Sequence, residues 1–530
     1  MCVFRLKKSA RFAIITAVAI DPLHLPEDTK VLQRMVLDLL TQLDRECGKY
    51  SKIEALLREL LDAKRGRKSE QLSADQLALF AAAWQEQHPE AAAESKDTAT
   101  DKNNNNDGTG TGHTTTGKTA GRKPLAPHLK RERIVHDLTE AEKHCSVCAQ
   151  TLRPIGEETS ERYEFIPASL KVIEDACLKY ACQCTVRTAT KPSQPIEKSI
   201  AGASLLAQVI VSKFDDHLPL HRQEKIFGRH GVDLSRKTMG GWMGQCADLL
   251  SPLYQSLKDC VLESKVVGTD DTSVKVLDPK LPFARTGRFW PYLGDEDHPA
   301  IVYDYTPTRE RAGPEEFLKH YRGYLQADAY SAYDAFFKDP QRGLTEVGCM
   351  AHGRRYFHKA LDTDRTHMGP VLLLIAELYR VEDRARELSS ADRLLMRTLE
   401  SKPVLEKLHD YLTGVQLVVL PKSPAARAVR YTLKNWVALT RYAEDGDLEI
   451  DNNRTERAIR GIAIGRNNWT FFGSDTGGKT AAVLCSFVAS CRRNQVNPFH
   501  WFQDVLSRIA SWPITRIGEL LPHNWSPTAA

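Results

Sequence analysis

Apolar residues recur from Leu32 in alternating steps of four and three: Leu32, Val36, Leu39 and Leu43, then Tyr50, Ile53, Leu57 and Leu60, with Glu46 the one polar interruption. The heptad seam predicts a coiled-coil, leucine-zipper-like helical region over about 26–90, paired with a second chain or folded onto its own domain. From about 91 to 120, Thr, Gly and Asn dominate and no hydrophobic period supports a core, which predicts a disordered linker. A compact Cys-containing module follows within 121–195. Three short helices are predicted next, at 205–214, 220–228 and 236–250, inside a region of 196–260. Ser235 is a natural N-cap for the third. This is helix-turn-helix spacing, with Arg236, Lys237 and Thr238 leading the recognition helix, although tri-helical packing without nucleic acid gives the same pattern.

The pattern turns β-rich at 265. Strands are predicted at 265–277, 285–293 and 300–305 as a meander, then a helix at 314–321 and strands at 324–328 and 344–349. Such an order suits a ribonuclease-H-like α/β domain over 261–475. Between about 357 and 445 the chain reads as continuously helical, an all-helical insertion. Helical patterning resumes at 452–461, and at 480–493 and 499–510 in a C-terminal region of 476–530.

At 530 residues the chain exceeds one core and divides into three or four domains. Its 42% hydrophobic and 27% charged residues exclude a collagenous, mucin-like or wholly disordered class. The net charge of +5 permits a nucleic-acid partner without demanding one. Basic clusters stand at Lys64-Arg65-Arg67-Lys68, Lys130-Arg131-Arg133 and Arg454-Arg457-Arg460-Arg466, each of which also reads as a solvated face. No run approaches the roughly 18 apolar residues of a membrane span. Within the uncertain extension 1–25, Arg5, Lys7, Lys8 and Arg11 precede the apolar stretch 12–20 and imitate a signal peptide; a start codon set too far upstream explains it equally well.

Of the twelve cysteines, Cys145, Cys148, Cys177, Cys182 and Cys184 crowd together, which suits a metal site better than a disulfide framework and points to a reduced, cytoplasmic location. Cys145-x-x-Cys148 and Cys182-x-Cys184 are spaced for a structural Zn²⁺ in a zinc-ribbon-like module. Cys177 or His144 can complete a distorted site, and loss of the metal is the alternative.

Asp270 and Asp328 sit at predicted strand positions, and Glu456 lies on a helix opening with Asp451-Asn452-Asn453. Three convergent carboxylates can hold the two Mg²⁺ ions, about 3.5–4 Å apart, that phosphodiester cleavage uses. Among 68 acidic residues, three single out nothing by themselves; the surrounding segments do.

Gly268-Thr269-Asp270-Asp271-Thr272-Ser273-Val274-Lys275-Val276-Leu277 resembles the first-aspartate strand of the IS-sixty-six family of bacterial insertion-sequence transposases, of the DDE type. Gln326-Ala327-Asp328-Ala329-Tyr330-Ser331-Ala332-Tyr333 resembles its second, and Asn453-Arg454-Thr455-Glu456-Arg457-Ala458-Ile459-Arg460 its glutamate helix. Cys349-Met350-Ala351-His352-Gly353-Arg354-Arg355 is similar to its Cys-x-x-His-x-Arg-Arg stretch, which we read as a core packing pair rather than a second zinc site. Lys68-Ser69-Glu70-Gln71-Leu72, Gly121-Arg122-Lys123-Pro124-Leu125, Leu218-Pro219-Leu220-His221-Arg222-Gln223, Gly465-Arg466-Asn467-Asn468-Trp469, Asn497-Pro498-Phe499 and Leu520-Leu521-Pro522-His523-Asn524-Trp525 are further landmarks. The resemblance runs from about 25 to 525, linker excepted. The family's second cysteine pair is usually Cys-x-x-Cys, from which Cys182-x-Cys184 departs.

The resemblance implies a DNA transposase that binds terminal inverted repeats, cleaves strands and transfers them to target DNA. Asp270, Asp328 and Glu456 would be catalytic on two Mg²⁺ or Mn²⁺ ions. It also implies accessory proteins from the same element, and the heptads suggest a homodimer or higher oligomer. Asp271 points to the opposite strand face from Asp270; the family's Asp-Glu-Thr places the catalytic residue first. Arg457, Arg460 and Arg466 are further candidates for DNA contact, and Arg460, at i+4, can also pair with Glu456. Rival readings are a catalytically silent DNA-binding derivative and an NTP-dependent DNA factor. The latter rests on the Walker A pattern of residues 473–480, which 112–119 also satisfies inside the linker.

Overall fold

The computed structural model describes residues 169–181, 186–188, 193–328 and 333–527, together with Gln76, Ala78 and Phe80. Apart from those three residues, the heptad region lies outside the described residues, as do the N-terminal apolar stretch, the linker, Cys145, Cys148, Cys182 and Cys184. The described residues divide into two compact units. One falls within Met1–Asp97, Pro192–Ile226 and Asp233–Ala530, the other within Thr98–Lys191 and Phe227–Val232. In the smaller unit β1 (Lys179–Ala181) and β2 (Val186–Thr188) pair antiparallel, Lys179 opposite Thr188 and Ala181 opposite Val186.

The helices ahead of the large sheet are α1 (Ala203–Phe214), α2 (Leu220–Arg229) and α3 (Arg236–Leu249). Their ends follow the pattern of apolar spacing to within two residues. Ser235 caps α3, its side chain accepting the Thr238 N–H at 3.1 Å, and a Glu224 oxygen accepts the Arg236 N–H at 3.2 Å. α4 (Ser251–Leu262) follows with Pro252 in its first turn, where a missing N–H costs nothing.

The sheet is mixed. Its strands are β3 (Val266–Thr269), β4 (Thr272–Val276), β5 (Arg285–Leu293) and β6 (Ile301–Thr306), then, after α5 (Ala312–Phe317), β7 (Gly323–Gln326) and, after α6 (Asp334–Phe337), β8 (Leu344–Val347). β6 lies antiparallel along one edge of β5; β3 and β4 lie antiparallel along the other. β7 joins β3 in parallel and β8 joins β7 in parallel. The outer edge of β6 is closed by α14 (Asp475–Arg493), whose Ser490 and Ser486 hydroxyls accept the N–H groups of Ile301 and Tyr303.

The single strand expected over 265–277 is interrupted. β3 and β4 keep one register along β5, with Thr269 opposite Tyr292 and Thr272 opposite Phe289, and pairing lapses at Asp270 and Asp271. That register sets Asp270 against Pro291, which has no N–H to give.

Among the described residues, 350–444 hold no strand. They form α7 (Met350–Ala360), α8 (Arg365–Ala385), α9 (Ser390–Met396), a π-turn at Arg397–Ser401, α10 (Lys402–Val418), α11 (Pro424–Lys434) and α12 (Trp436–Thr440). Phe357, Met368, Leu372, Ile375, Leu408 and Val429 are buried together. Phe80 joins them beside Gly369, where a Cβ would stand 2.6 Å from its ring. The chain returns through α13 (Asn453–Trp469) and α14 to α15 (Pro498–Arg508). No described helix is long and apolar enough to cross a membrane.

Candidate active site at the sheet's carboxyl end

β3 and β7 run parallel with Val266 beside Tyr324 and Gly268 beside Gln326. Continued two residues, that register sets Asp270 beside Asp328 where both strands end, the end at which open α/β sheets present ligand sites. Burial pushes the Asp270 carboxyl up to about 7; the Asp328 charge adds to this, and the Asp271 N–H, donated to Asp270 Oδ1 at 2.6 Å, opposes it. Burial likewise raises Asp328, while the charge of His352 pulls it down. Neither aspartate has an ion pair among the described residues.

Asp271 is the opposite case. Its side chain is only 3% exposed, yet Arg288 reaches it at 2.7 Å and Arg309 at 2.6 and 3.0 Å. With the strand broken there, alternation of faces is not what separates the two acids; Asp271 is spent on two guanidinium groups and Asp270 is not.

Glu456 reaches the same end of the sheet on the first turn of α13. Gly268 permits the approach: a Cβ there would lie 2.6 Å from Thr455 Oγ1 and 3.4 Å from Asn452 Oδ1. Buried Asn452 donates to the Thr269 carbonyl at 2.8 Å and accepts the Thr455 hydroxyl at 2.5 Å. The segment before α13 runs along the sheet, strapped from the start of β3 to its end. Lys265 pairs with Asp445 and Asp447, Gln326 donates to the Glu449 carbonyl, Met350 N–H to Ile450, and Asn452 N–H to Cys349 Sγ. Asp451 accepts the Asn453 N–H and the Tyr379 hydroxyl at 2.9 Å, so the helical layer grips the root of the glutamate helix.

Cys349 is buried as a packing residue, but His352 is not its partner in the core. His352 Nε2 and an Arg355 guanidinium nitrogen each stand 3.8 Å from Glu456 Oε1. The Cys-x-x-His-x-Arg-Arg spacing was the available signal: one helical turn after a strand end carries a buried residue, an imidazole and a guanidinium back over the site. Arg457 and Arg460 are exposed on α13 and pair with no acid among the described residues, so Arg460 does not bridge to Glu456. Arg466 turns inward to Thr272 Oγ1 and the Ser273 carbonyl, both at 2.8 Å, because it pins α13 to β4. Arg236 and Lys237 are exposed in the first turn of α3.

The Walker-like segment builds no phosphate cradle. Ser474 caps α14 and takes the Gly477 N–H at 3.1 Å, Asp475 is bound by Arg285 and by Tyr305 at 2.5 Å, and a Cβ on Gly478 would collide with the Tyr305 ring at 2.7 Å. Phe472 makes only a single bridge, to Val276, where a P-loop would follow a full strand.

The oxygen-only donor set of Asp270, Asp328 and Glu456, with two half-buried aspartates that make no ion pair among the described residues, has the chemistry of a hard divalent cation site. Among the described residues, however, no three His, Cys, Asp or Glu side chains stand together at coordinating distance; Glu456 lies instead against His352 and Arg355.

Comparison with known proteins agrees along most of the chain. Residues 198–480 match the family described as Transposase IS66 family, and 486–523 its IS66 C-terminal element. Residues 142–185 match the zinc-finger binding domain of transposase IS66, and 52–134 the family described as Transposase C of IS166 homeodomain. Three Sinorhizobium fredii proteins, each described only as uncharacterized, are similar. They are y4hP (32% identity over 90% of this chain and 89% of its own), y4jD (31%, over 95% and 97%) and y4qI (34%, over 77% and 78%). With one family match spanning more than half its length, the chain belongs to the IS66 transposase family.

Proposed function

We propose that this chain cleaves DNA strands at the terminal inverted repeats of an insertion sequence and joins them to target DNA, using a ribonuclease-H-like sheet that carries Asp270, Asp328 and Glu456. The observation that carries the reading is the register of β3 and β7, which sets two half-buried carboxyls side by side without an ion pair among the described residues, with the glutamate helix packed over Gly268 beside them. An antiparallel meander followed by two parallel strands on its inner edge supports the fold.

Asp270, Asp328 and Glu456 would hold two Mg²⁺ or Mn²⁺ ions, which when bound activate the attacking oxygen and stabilise the leaving one. The chain's own contribution is placement. Asn452 and Thr455 fix the start of α13 over β3, Tyr379 holds Asp451, and Arg288 with Arg309 neutralise Asp271 so that it does not compete for the cation. Held near the site by His352 and Arg355, the glutamate would supply the third carboxylate.

Arg457 and Arg460, exposed one helical turn apart beside Glu456, and Arg236 and Lys237 at the start of α3 suit phosphate contact. Arg466, committed to β4, does not. In the smaller unit β1 and β2 pair antiparallel, and Cys182 and Cys184, which fall between them in sequence, would form a zinc ribbon with Cys145 and Cys148. The heptads would join two chains so that both ends of the element are handled together, with accessory proteins of the same element and a cytoplasmic, DNA-bound location.

The test is strand transfer on DNA bearing the element's ends, with and without Mg²⁺. The wild-type chain should cut and join only with the metal, and Asp270→Ala should abolish both while repeat binding persists. Activity that survives the substitution contradicts the assignment.

A further inference from the structure

A second cluster of functional character lies at the opposite end of the sheet, where β7 and β8 begin. There a cavity of about 200 Å³ is lined by Lys319, His320, Arg322 and Arg342, with Asp339 the one acid and buried Tyr321 on the sheet side. Asp339 is already engaged, accepting the Gln341 N–H at 3.0 Å. Arg322 is steered by the Gln341 carbonyl at 3.0 Å. Arg342 is held from two sides, Nη2 donating to Glu315 at 2.7 Å and the guanidinium lying 4.9 Å from the centre of the Phe336 ring. Its Nη1 is shut off from solvent and has no hydrogen-bond partner.

That nitrogen lies out of a ligand's reach, so the cavity's donors are the exposed Lys319, His320 and Arg322 with the rest of the Arg342 guanidinium. A ligand there must be small enough for the cavity, which is several times the roughly 30 Å³ that one water occupies. It must also be anionic, since the three permanent cations Lys319, Arg322 and Arg342 outnumber Asp339 and the Glu315 that pairs Arg342. A fixed guanidinium beside flexible cations is the donor set that recognises phosphate oxygens.

We propose that this cavity is a phosphate-binding site that takes a backbone phosphate of the DNA on which the protein acts, apart from the carboxylate site. From Gly323 to Asp328 the chain advances five residues, about 17 Å, or roughly five phosphate spacings of one strand. The assignment of the phosphate to DNA rests on the proposed function; the anion site itself does not.

The experiment uses the full chain in buffer free of phosphate and sulfate, comparing wild type with Arg322→Gln/Arg342→Gln and, because Arg342 also packs on Phe336, with Lys319→Gln/Arg322→Gln. Inorganic phosphate should raise the melting temperature of the wild type and not of either variant. Duplex DNA affinity measured against salt should lose about 1 from the magnitude of its log–log slope in the variants, whatever the DNA sequence. Phosphate stabilisation lost with an unchanged DNA slope overturns the DNA assignment in favour of a free phosphate anion. Phosphate stabilisation retained in folded variants overturns the site, whether or not strand transfer is ever observed.

Discussion

The helical layer and the sheet's carboxyl end both bury charge, and they treat it in opposite ways. Arg397, fully buried in its π-turn, meets Glu382 through two hydrogen bonds of 2.9 and 2.6 Å and donates to the Tyr442 and Asp445 carbonyls at 2.8 Å each. Every charge there is matched, so the cluster is a pin that ties the helical layer to the strap leading into α13. Asp270 and Asp328 are set beside each other by strand register with no ion pair among the described residues, and burial raises both carboxyls. Fully paired buried charge marks structure; neighbouring carboxyls without an ion pair at a strand end mark a candidate cation site.

The contrast can be broken at several points. Arg397→Ala strands Glu382 without a partner and should cost about 3–5 kcal/mol in a denaturant titration, whereas Arg397→Met with Glu382→Leu should recover most of it. Gly268→Ala drives a methyl into Thr455 and should cost about 1–3 kcal/mol, with strand cleavage lost beyond what stability accounts for because α13 moves.

Asp270→Asn should do the reverse. A carboxyl raised from 3.8 to about 7 in the folded chain binds its proton more tightly there than when unfolded, so in chelator the wild type loses stability as pH rises from about 4 to about 7 and then levels off. The asparagine variant should lack that decline and, above pH 7, be more stable by at most about 4 kcal/mol, read as a higher melting temperature. A lower one contradicts the raised carboxyl. Tyr379→Phe, which removes one hydrogen bond from Asp451, should cost only about 1 kcal/mol while slowing cleavage about tenfold.

Periodicity and local chemistry carried much of this architecture. The Ser235 cap, the ends of β5 and the helical run after β8 follow from apolar spacing, capping and branched residues, all properties of neighbouring positions. The identities of the three candidate acids were legible through ordered motifs. What escaped the sequence depends on partners distant along the chain. The break at Asp270 comes from Pro291 across the ladder, the neutralisation of Asp271 from Arg288 and Arg309, and the inward turn of Arg466 from β4. His352 was read as a core packing partner because its neighbour Glu456 lies beyond the whole helical layer.

The central claim is that Asp270, Asp328 and Glu456 hold divalent cations. Calorimetric titration of the chelator-treated chain with Mn²⁺ tests it most directly, against Asp328→Asn and, as a control, Asp271→Asn. The wild type should bind Mn²⁺ and Asp328→Asn should lose that binding, with Asp271→Asn close to wild type once any Mn²⁺ taken up by the cysteine module is subtracted. Equal binding by the wild type and Asp328→Asn, or loss confined to Asp271→Asn, would contradict it.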